Sequence, residues 1–204
     1  MKFSHTETAG RRPYRMSARA TAAAATGQRI LQAFLDLYMV YWLEDLTLDE
    51  VAARAGVSVQ TVLRRYRSKA GLIQAAGESL YQQVSNQRNQ APVGNISGAV
   101  ANLMDHYEAV GDLTIRTLAQ EQRHEALHIF AERGRALHRA WVETAFSPLL
   151  DALAMGERGD TLAKLVVVTD LNVWKLLRRD MGFERAQTER YVVEMVSAVI
   201  ERKH

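Results

Sequence analysis

From Gln28 onward, apolar side chains recur at helical spacing: Ile30, Phe34, Leu37, Tyr38 and Tyr41 fall on one face, which predicts a helix over 28–43. Residues 1–25 show no such period. They mix Gly, Pro, Ser and Thr with arginines, and read as a flexible basic arm turning helical near Ala20. Thr47 stands three residues before Glu50, the capping-box spacing that opens a helix, predicted over 48–55. Gly56 supplies a left-handed stop and Ser58 the next cap, so a short helix over 59–66 follows a sharp turn. Ser68 caps a fourth helix over 69–89. The segment 90–98, with Pro92, Gly94 and Gly98, breaks the period and separates two helical regions.

Beyond that break the helical period returns over 96–110, 113–122, 123–154 with a kink at Pro148, 161–181 and 184–203. No segment alternates as a strand would, so the fold class is all-α. The last two helices carry wide apolar faces. Leu162, Leu165, Val166, Thr169, Val173 and Leu176 form one, and Val192, Met195, Val196, Val199 and Ile200 the other. Three regions result: a basic arm over 1–25, a three-helix head with a helix-turn-helix over 26–75, and a helical domain over 76–204.

Composition sharpens this picture at three points. Three prolines and twelve glycines in 204 residues leave little material for the turns of a sandwich or barrel. The absence of cysteine removes disulfide scaffolds, thiolate zinc sites, iron–sulfur clusters and thiol nucleophiles, and suits a reducing cytoplasm. No stretch approaches the ~20 apolar residues of a membrane helix, and none resembles a signal peptide, so the expectation is a soluble protein with no membrane partner. The net charge of +3 is unevenly spread. Residues 1–90 hold 12 Lys and Arg against 7 Asp and Glu, and the remainder 14 against 16. Cations cluster at Arg11, Arg12, Arg15, Arg19 and Arg29, and again at Arg64, Arg65, Arg67 and Lys69. Such clusters suit a polyanion, either nucleic acid or anionic lipid.

The segment 47–66 places Leu48, Val51, Ala52, Val57 and Val62 where a helix-turn-helix buries side chains, so its second helix can offer the opposite face to a DNA major groove. That face comprises Val59, Gln60, Leu63 and Arg64, with Thr61 at its edge. Arg64 and Gln60 suit guanine and adenine edges. Thr47, Ser58, Thr61, Arg65, Tyr66, Arg67 and Lys69, at helix starts and in the flanking turn, suit phosphate contacts or structural duty.

The run of residues 30–38, the segment from Thr47 to Ser58 with Gly56, then Thr61-Val62-Leu63-Arg64-Arg65-Tyr66 and Ser68-Lys69, resembles the DNA-binding domain of TetR-type transcriptional regulators. The resemblance covers about 28–75. It implies a helical homodimer joined through the last two helices, a double-stranded, near-palindromic DNA operator, and a small-molecule inducer held by the C-terminal domain. The chain departs from the family pattern at Trp42 (usually glycine), Leu63 (often tyrosine), Arg67 (commonly proline) and Ala70-Gly71 (an acidic pair).

An inducer site would lie among the helices over 96–181. Met104, Tyr107, Phe130, Trp141, Asn172 and Trp174 combine apolar area with a few polar tips, as small-molecule sites do, and each also suits an ordinary core position. His124-Glu125-Ala126-Leu127-His128 reads as H-E-x-x-H, the helical zinc motif, which keeps a zinc hydrolase or metal sensor open as an alternative. The extended form of the motif is broken by Ala131 and Gly134. Histidines on the polar segment 120–125 and just beyond it read in the first place as solvent-facing, and the zinc reading stays the alternative. Nucleophile elbow, phosphate loop and dinucleotide fingerprint are absent, so neither an enzyme nor a cofactor is expected. A third reading is a helical interaction module whose head has lost DNA.

Overall fold

The computed structural model describes residues 11–154 and 156–201, with side chains from residue 20 onward. Among the described residues every regular element is helical. The chain divides into two compact units, Met1–Ala76 and Gly77–His204.

In the first unit, α1 (Arg11–Tyr38) is longer than its apolar spacing predicts. The segment expected as an arm is helical from residue 11, because the alanines at 22–25 are the strongest helix formers and Pro13 falls in the first turn, where no intrahelical N–H is needed. The arm's first ten residues lie outside the described residues, as do the side chains of Arg11, Arg12, Arg15 and Arg19. At its other end α1 stops at Tyr38, short of residue 43, and Leu43 and Leu46 turn inward from the loop that follows. Helices α2 (Leu48–Ala55) and α3 (Val59–Tyr66) lie where the caps predict. Ile30, Phe34, Tyr38, Leu43, Leu46, Val51, Ala52, Val62 and Leu72 close the core of this unit. Helix α4 (Lys69–Arg88) begins in the first unit and ends in the second.

The second unit holds the rest of α4, then α5 (Ile96–Leu118), α6 (Glu125–Ala145), α7 (Ser147–Asp151), α8 (Arg158–Val168), α9 (Leu171–Lys175), which continues as a π-helical turn over Leu176–Asp180, and α10 (Arg185–Glu201). The break expected at Gly111 does not occur. Helix α5 runs through it, because the bare glycine lets the Trp174 ring lie against the helix backbone. A break does occur inside the predicted helix 161–181, where the Asp170 carboxylate accepts the Asn172 N–H at 2.8 Å and starts α9. Pro148 separates elements rather than kinking one, since it sits in the first turn of α7 after α6 has ended. The core gathers Leu103, Met104, Tyr107, Trp141, Val142, Phe146, Leu165, Trp174, Val192 and Val196.

Candidate nucleic-acid interface

The turn between α2 and α3 is fixed by local chemistry. The Thr47 hydroxyl accepts the Glu50 N–H at 3.3 Å, while the Glu50 carboxylate accepts the Thr47 N–H at 2.9 Å and the Thr47 hydroxyl at 2.7 Å. These bonds hold the Glu50 carboxyl below the usual carboxylate range. Gly56 takes φ 66°, ψ 41°, a left-handed conformation open to glycine, and its N–H closes α2. Ser58 then accepts the Thr61 N–H at 3.2 Å and shares a 3.0 Å hydroxyl contact with Thr61.

Helix α3 is strongly two-sided. Val62 is fully buried, Val59 and Thr61 are half-buried, and Gln60, Leu63 and Arg64 are exposed. Gln60 and Arg64 stand one helical turn apart on that outer face. Two polar side chains fasten α3 to α1: the Tyr66 hydroxyl donates to Gly27 O at 3.1 Å, and Arg65 donates to Ala23 O at 3.0 Å. The Arg65 guanidinium covers Gly27 so closely that a Cβ there would lie 2.3 Å from it. The guanidinium expected on phosphate thus has a structural partner. Between α1 and α3 an open cleft of about 470 Å³ is lined by Ala22, Ala23, Thr26, Thr61, Arg64 and Arg65. Helix α2 is fastened to α1 by Arg54, which donates to one Asp36 oxygen at 3.1 and 2.8 Å.

The turn into α4 explains two departures from the family pattern. Arg67 takes φ 68°, ψ −37°, the only positive φ among described non-glycine residues, a conformation that costs a side-chain-bearing residue free energy. Gly71 lies so near the end of α3 that a Cβ would sit 2.0 Å from Tyr66 O. An acidic residue at 71 is therefore incompatible with this turn. Lys69 ties the turn to the α1–α2 loop: its ammonium donates to Leu43 O at 2.5 Å and to Glu44 O at 3.2 Å.

In the second unit, Met104, Tyr107, Trp141 and Trp174 come together as fully enclosed members of one core cluster. Phe130 and Asn172 stand apart from it. The Phe130 ring covers Gly77, and the exposed Asn172 amide bonds Asp170. Sequence reasoning passed over Arg88, His106 and His138 as members of this core, and Thr169 joins them from the apolar face predicted over 161–181. The first three are charged or titratable types, more often solvated, and nothing in the spacing marks them as enclosed. Both Arg88 terminal nitrogens donate to His138 Nδ1, at 3.4 and 3.2 Å, which puts the imidazole proton on Nε2, facing Val166 O at 3.2 Å. Burial, reinforced by the Arg88 charge, lowers the His138 pKa to about 4 and that of His106 to about 3. Burial raises the Tyr107 phenol to about 12, and its hydroxyl donates to Thr169 O at 2.9 Å.

His124 and His128 are not paired on one helix. His124 precedes α6 in extended backbone, φ −135°, ψ 112°, and His128 is exposed in the first turns. Among the described residues no group of three His, Cys, Asp or Glu side chains gathers as a metal site requires. No described helix is long and apolar enough to cross a membrane.

Residues 43–76 match the family described as bacterial regulatory proteins, tetR family. No curated protein matches the sequence. Solved structures are similar over nearly the whole chain. A transcriptional regulator from Rhodococcus sp. Rha1 shares 17% identity at a TM-score of 0.67, over 86% of this chain and 96% of that one. A tetR-family transcriptional regulator from Streptomyces coelicolor shares 16% at 0.65, over 86% and 80%. A TetR transcription regulator from Haloarcula marismortui shares 16% at 0.61, over 87% and 97%. At these identities the likeness speaks for the fold, while the match over α2, α3 and the start of α4 falls on the helix-turn-helix itself. Residues 43–76 thus carry the match to the tetR-family DNA-binding segment, and the chain has the fold of these solved regulators.

Proposed function

We propose that the protein is a ligand-responsive repressor that binds a near-palindromic, double-stranded operator as a homodimer and releases it when a small molecule occupies the second unit. The observation that carries this reading is the bare outer face of α3, where Gln60, Leu63 and Arg64 are exposed while Val62 anchors the helix from behind. Val59 and Thr61 flank that face, and Thr47 and Ser58 stand at helix starts, where backbone N–H groups suit phosphate.

A second chain is supported by apolar surface on the last helices. Val167 is 63% exposed and Leu176 51%, beside half-buried Val166, Val173, Met195, Val199 and Ile200. Two recognition helices must reach successive major grooves, about 34–36 Å apart, to bind tightly. A ligand favouring a dimer with another spacing weakens binding by its differential affinity for the two arrangements. Helix α4 belongs to both units and is the covalent route for that coupling.

The test is selection of bound fragments from the source genome, followed by titration at two salt concentrations. Specific binding whose affinity falls steeply with salt supports the reading. Arg64→Ala and Gln60→Ala cost about 1–3 kcal/mol each at one base position and relax preference there. Sedimentation gives twice the 22.9 kDa chain mass. A monomer, or a protein without sequence preference, overturns the proposal.

A further inference from the structure

Arg88, the last residue of α4, is a guanidinium without a counter-ion. Its exposure is 4%, and among the described residues no carboxylate lies within ion-pair distance. Its polar contacts are with the neutral imidazole of His138 and the Tyr107 hydroxyl, and two ring faces lie beside it, Trp141 at 4.7 Å and Tyr107 at 5.6 Å from the guanidinium carbon. Buried arginines ordinarily meet a carboxylate, because an enclosed cation that lacks one costs several kcal/mol. Asp170, whose charge acts on His138 and Tyr107, caps α9 and bonds the Asn172 amide.

Two donors in the same cluster are left without acceptors: Arg88 Nε–H and the Trp141 indole Nε1–H, both fully enclosed. An unmatched cation beside two idle N–H groups is an arrangement completed by an anion. Two donor positions suit the two oxygens of a carboxylate, whereas a phosphate would bring more oxygens and a second charge into an apolar core. The walls are aromatic, with Tyr107 tilted against Trp174 at 5.8 Å and Trp141 edge-on to Phe146 at 5.8 Å.

We infer that the second unit takes a small organic carboxylate with an apolar body, its carboxylate held by Arg88 and the Trp141 indole N–H and its body against Tyr107 and Trp141. This rests on the ligand-responsive reading above and names the chemical class of its effector. The site is closed around Arg88, so admitting the ligand displaces side chains at the end of α4. That helix begins in the DNA-binding unit, and drawing its last residue onto an anion is a force applied to the element both units share.

The full-length protein is titrated with benzoate and hexanoate, with benzamide and hexanamide as neutral counterparts and inorganic phosphate as a third arm, read by calorimetry and by the fluorescence of Trp141 and Trp174. At least one carboxylate binds about tenfold tighter than its amide, and phosphate binds no better than the amides. Arg88→Met abolishes the preference for carboxylate over amide while leaving the melting temperature of the unliganded protein unchanged or raised, because an unmatched cation has been removed. Arg88→Lys keeps the charge but loses the fork, and weakens carboxylate binding several-fold. Trp141→Phe keeps the ring and weakens it likewise.

Absence of carboxylate binding at about 10 mM, equal affinity for acid and amide, tighter binding of phosphate, or an unaltered preference in Arg88→Met overturns the inference. A lowered melting temperature in Arg88→Met with no carboxylate preference in the native protein assigns Arg88 to packing alone and overturns it as well. Operator release is scored separately. A carboxylate that binds by these criteria but leaves DNA affinity unchanged upholds the site and refutes the inducer reading.

Discussion

Replacing Gly111 by alanine tests how the core around Trp174 is held. A Cβ on residue 111 would lie 2.5 and 2.6 Å from two indole ring carbons and 3.2 Å from a third. Ordinary carbon contacts begin near 3.5 Å, so helix and ring must part by about 1 Å. The ring has little freedom to move. Trp174 is fully buried, its N–H donates to Glu108 at 3.0 Å, and Glu108 is clamped by Arg178 at 2.6 and 3.0 Å. Arg179 covers the ring at 4.5 Å and is itself bonded to Asp112. Overpacking of this kind costs about 1–3 kcal/mol, offset by about 0.5–1 kcal/mol because alanine is the better helix former. Gly111→Ala therefore loses up to about 2.5 kcal/mol.

Gly134 in α6 is the matched control, since nothing lies within 4 Å of its Cβ position. Gly134→Ala gains about 0.5–1 kcal/mol. Urea unfolding followed by tryptophan fluorescence separates the two variants by about 1 M in midpoint at unchanged slope. If Gly111→Ala is as stable as Gly134→Ala, the indole moves without cost. The tight packing argued for Trp174 then fails, and the residue is better read as the wall of an adaptable pocket.

Lys69→Met removes two bonds to loop carbonyls and destabilises the protein by about 1–3 kcal/mol, while the salt dependence of DNA binding keeps its slope; a slope reduced by about one with stability intact assigns Lys69 to phosphate instead. Arg67→Gly relieves the positive φ and stabilises by about 1 kcal/mol in the same assay; no gain shows that the turn carries no strain. Stability falls with acid between pH 6 and 4: the unfolded chain protonates His106 and His138 near 6.5, the folded one only at about 3 and about 4, so each histidine removes about 1.4 kcal/mol per pH unit below 6.5, and above 6.5 the contribution is complete. His106→Gln or His138→Gln makes that slope shallower in urea titrations across this range, and an unchanged slope refutes the buried neutral state.

The head was legible because its signals are local. A capping box, a left-handed glycine and a serine cap each act within four residues, so Thr47, Gly56 and Ser58 announce their roles in the sequence. Gly111 shows the limit of such reading. A glycine in a helical run looks like a break until its partner, Trp174, is known to lie across it from far along the chain. Thr169-Asp170 misleads in the opposite direction, since the apolar period continues past a point where Asp170 stops one helix and caps the next. The length of α1 was missed because apolar spacing reports a buried face, and an exposed helix rich in alanine has none to report.

The same limit decides which chemistry could be read in the second unit. Large side chains were identifiable as candidates because size and polarity are properties of a residue type, and four of the six, Met104, Tyr107, Trp141 and Trp174, meet in the core. Arg88 was not, because an arginine ending a polar helix segment has the sequence signature of a solvated one. What marks it is an absence, the missing carboxylate, and a missing partner is defined only once the neighbours are placed. Arg65 and Lys69 teach the converse: both sit in a basic cluster that suggests phosphate, and both already bond backbone carbonyls. Position in a cationic run therefore ranks these side chains less well than whether the fold has supplied each with an acceptor. By that measure Gln60 and Arg64 are the stronger choices for DNA and Arg88 for an anionic effector.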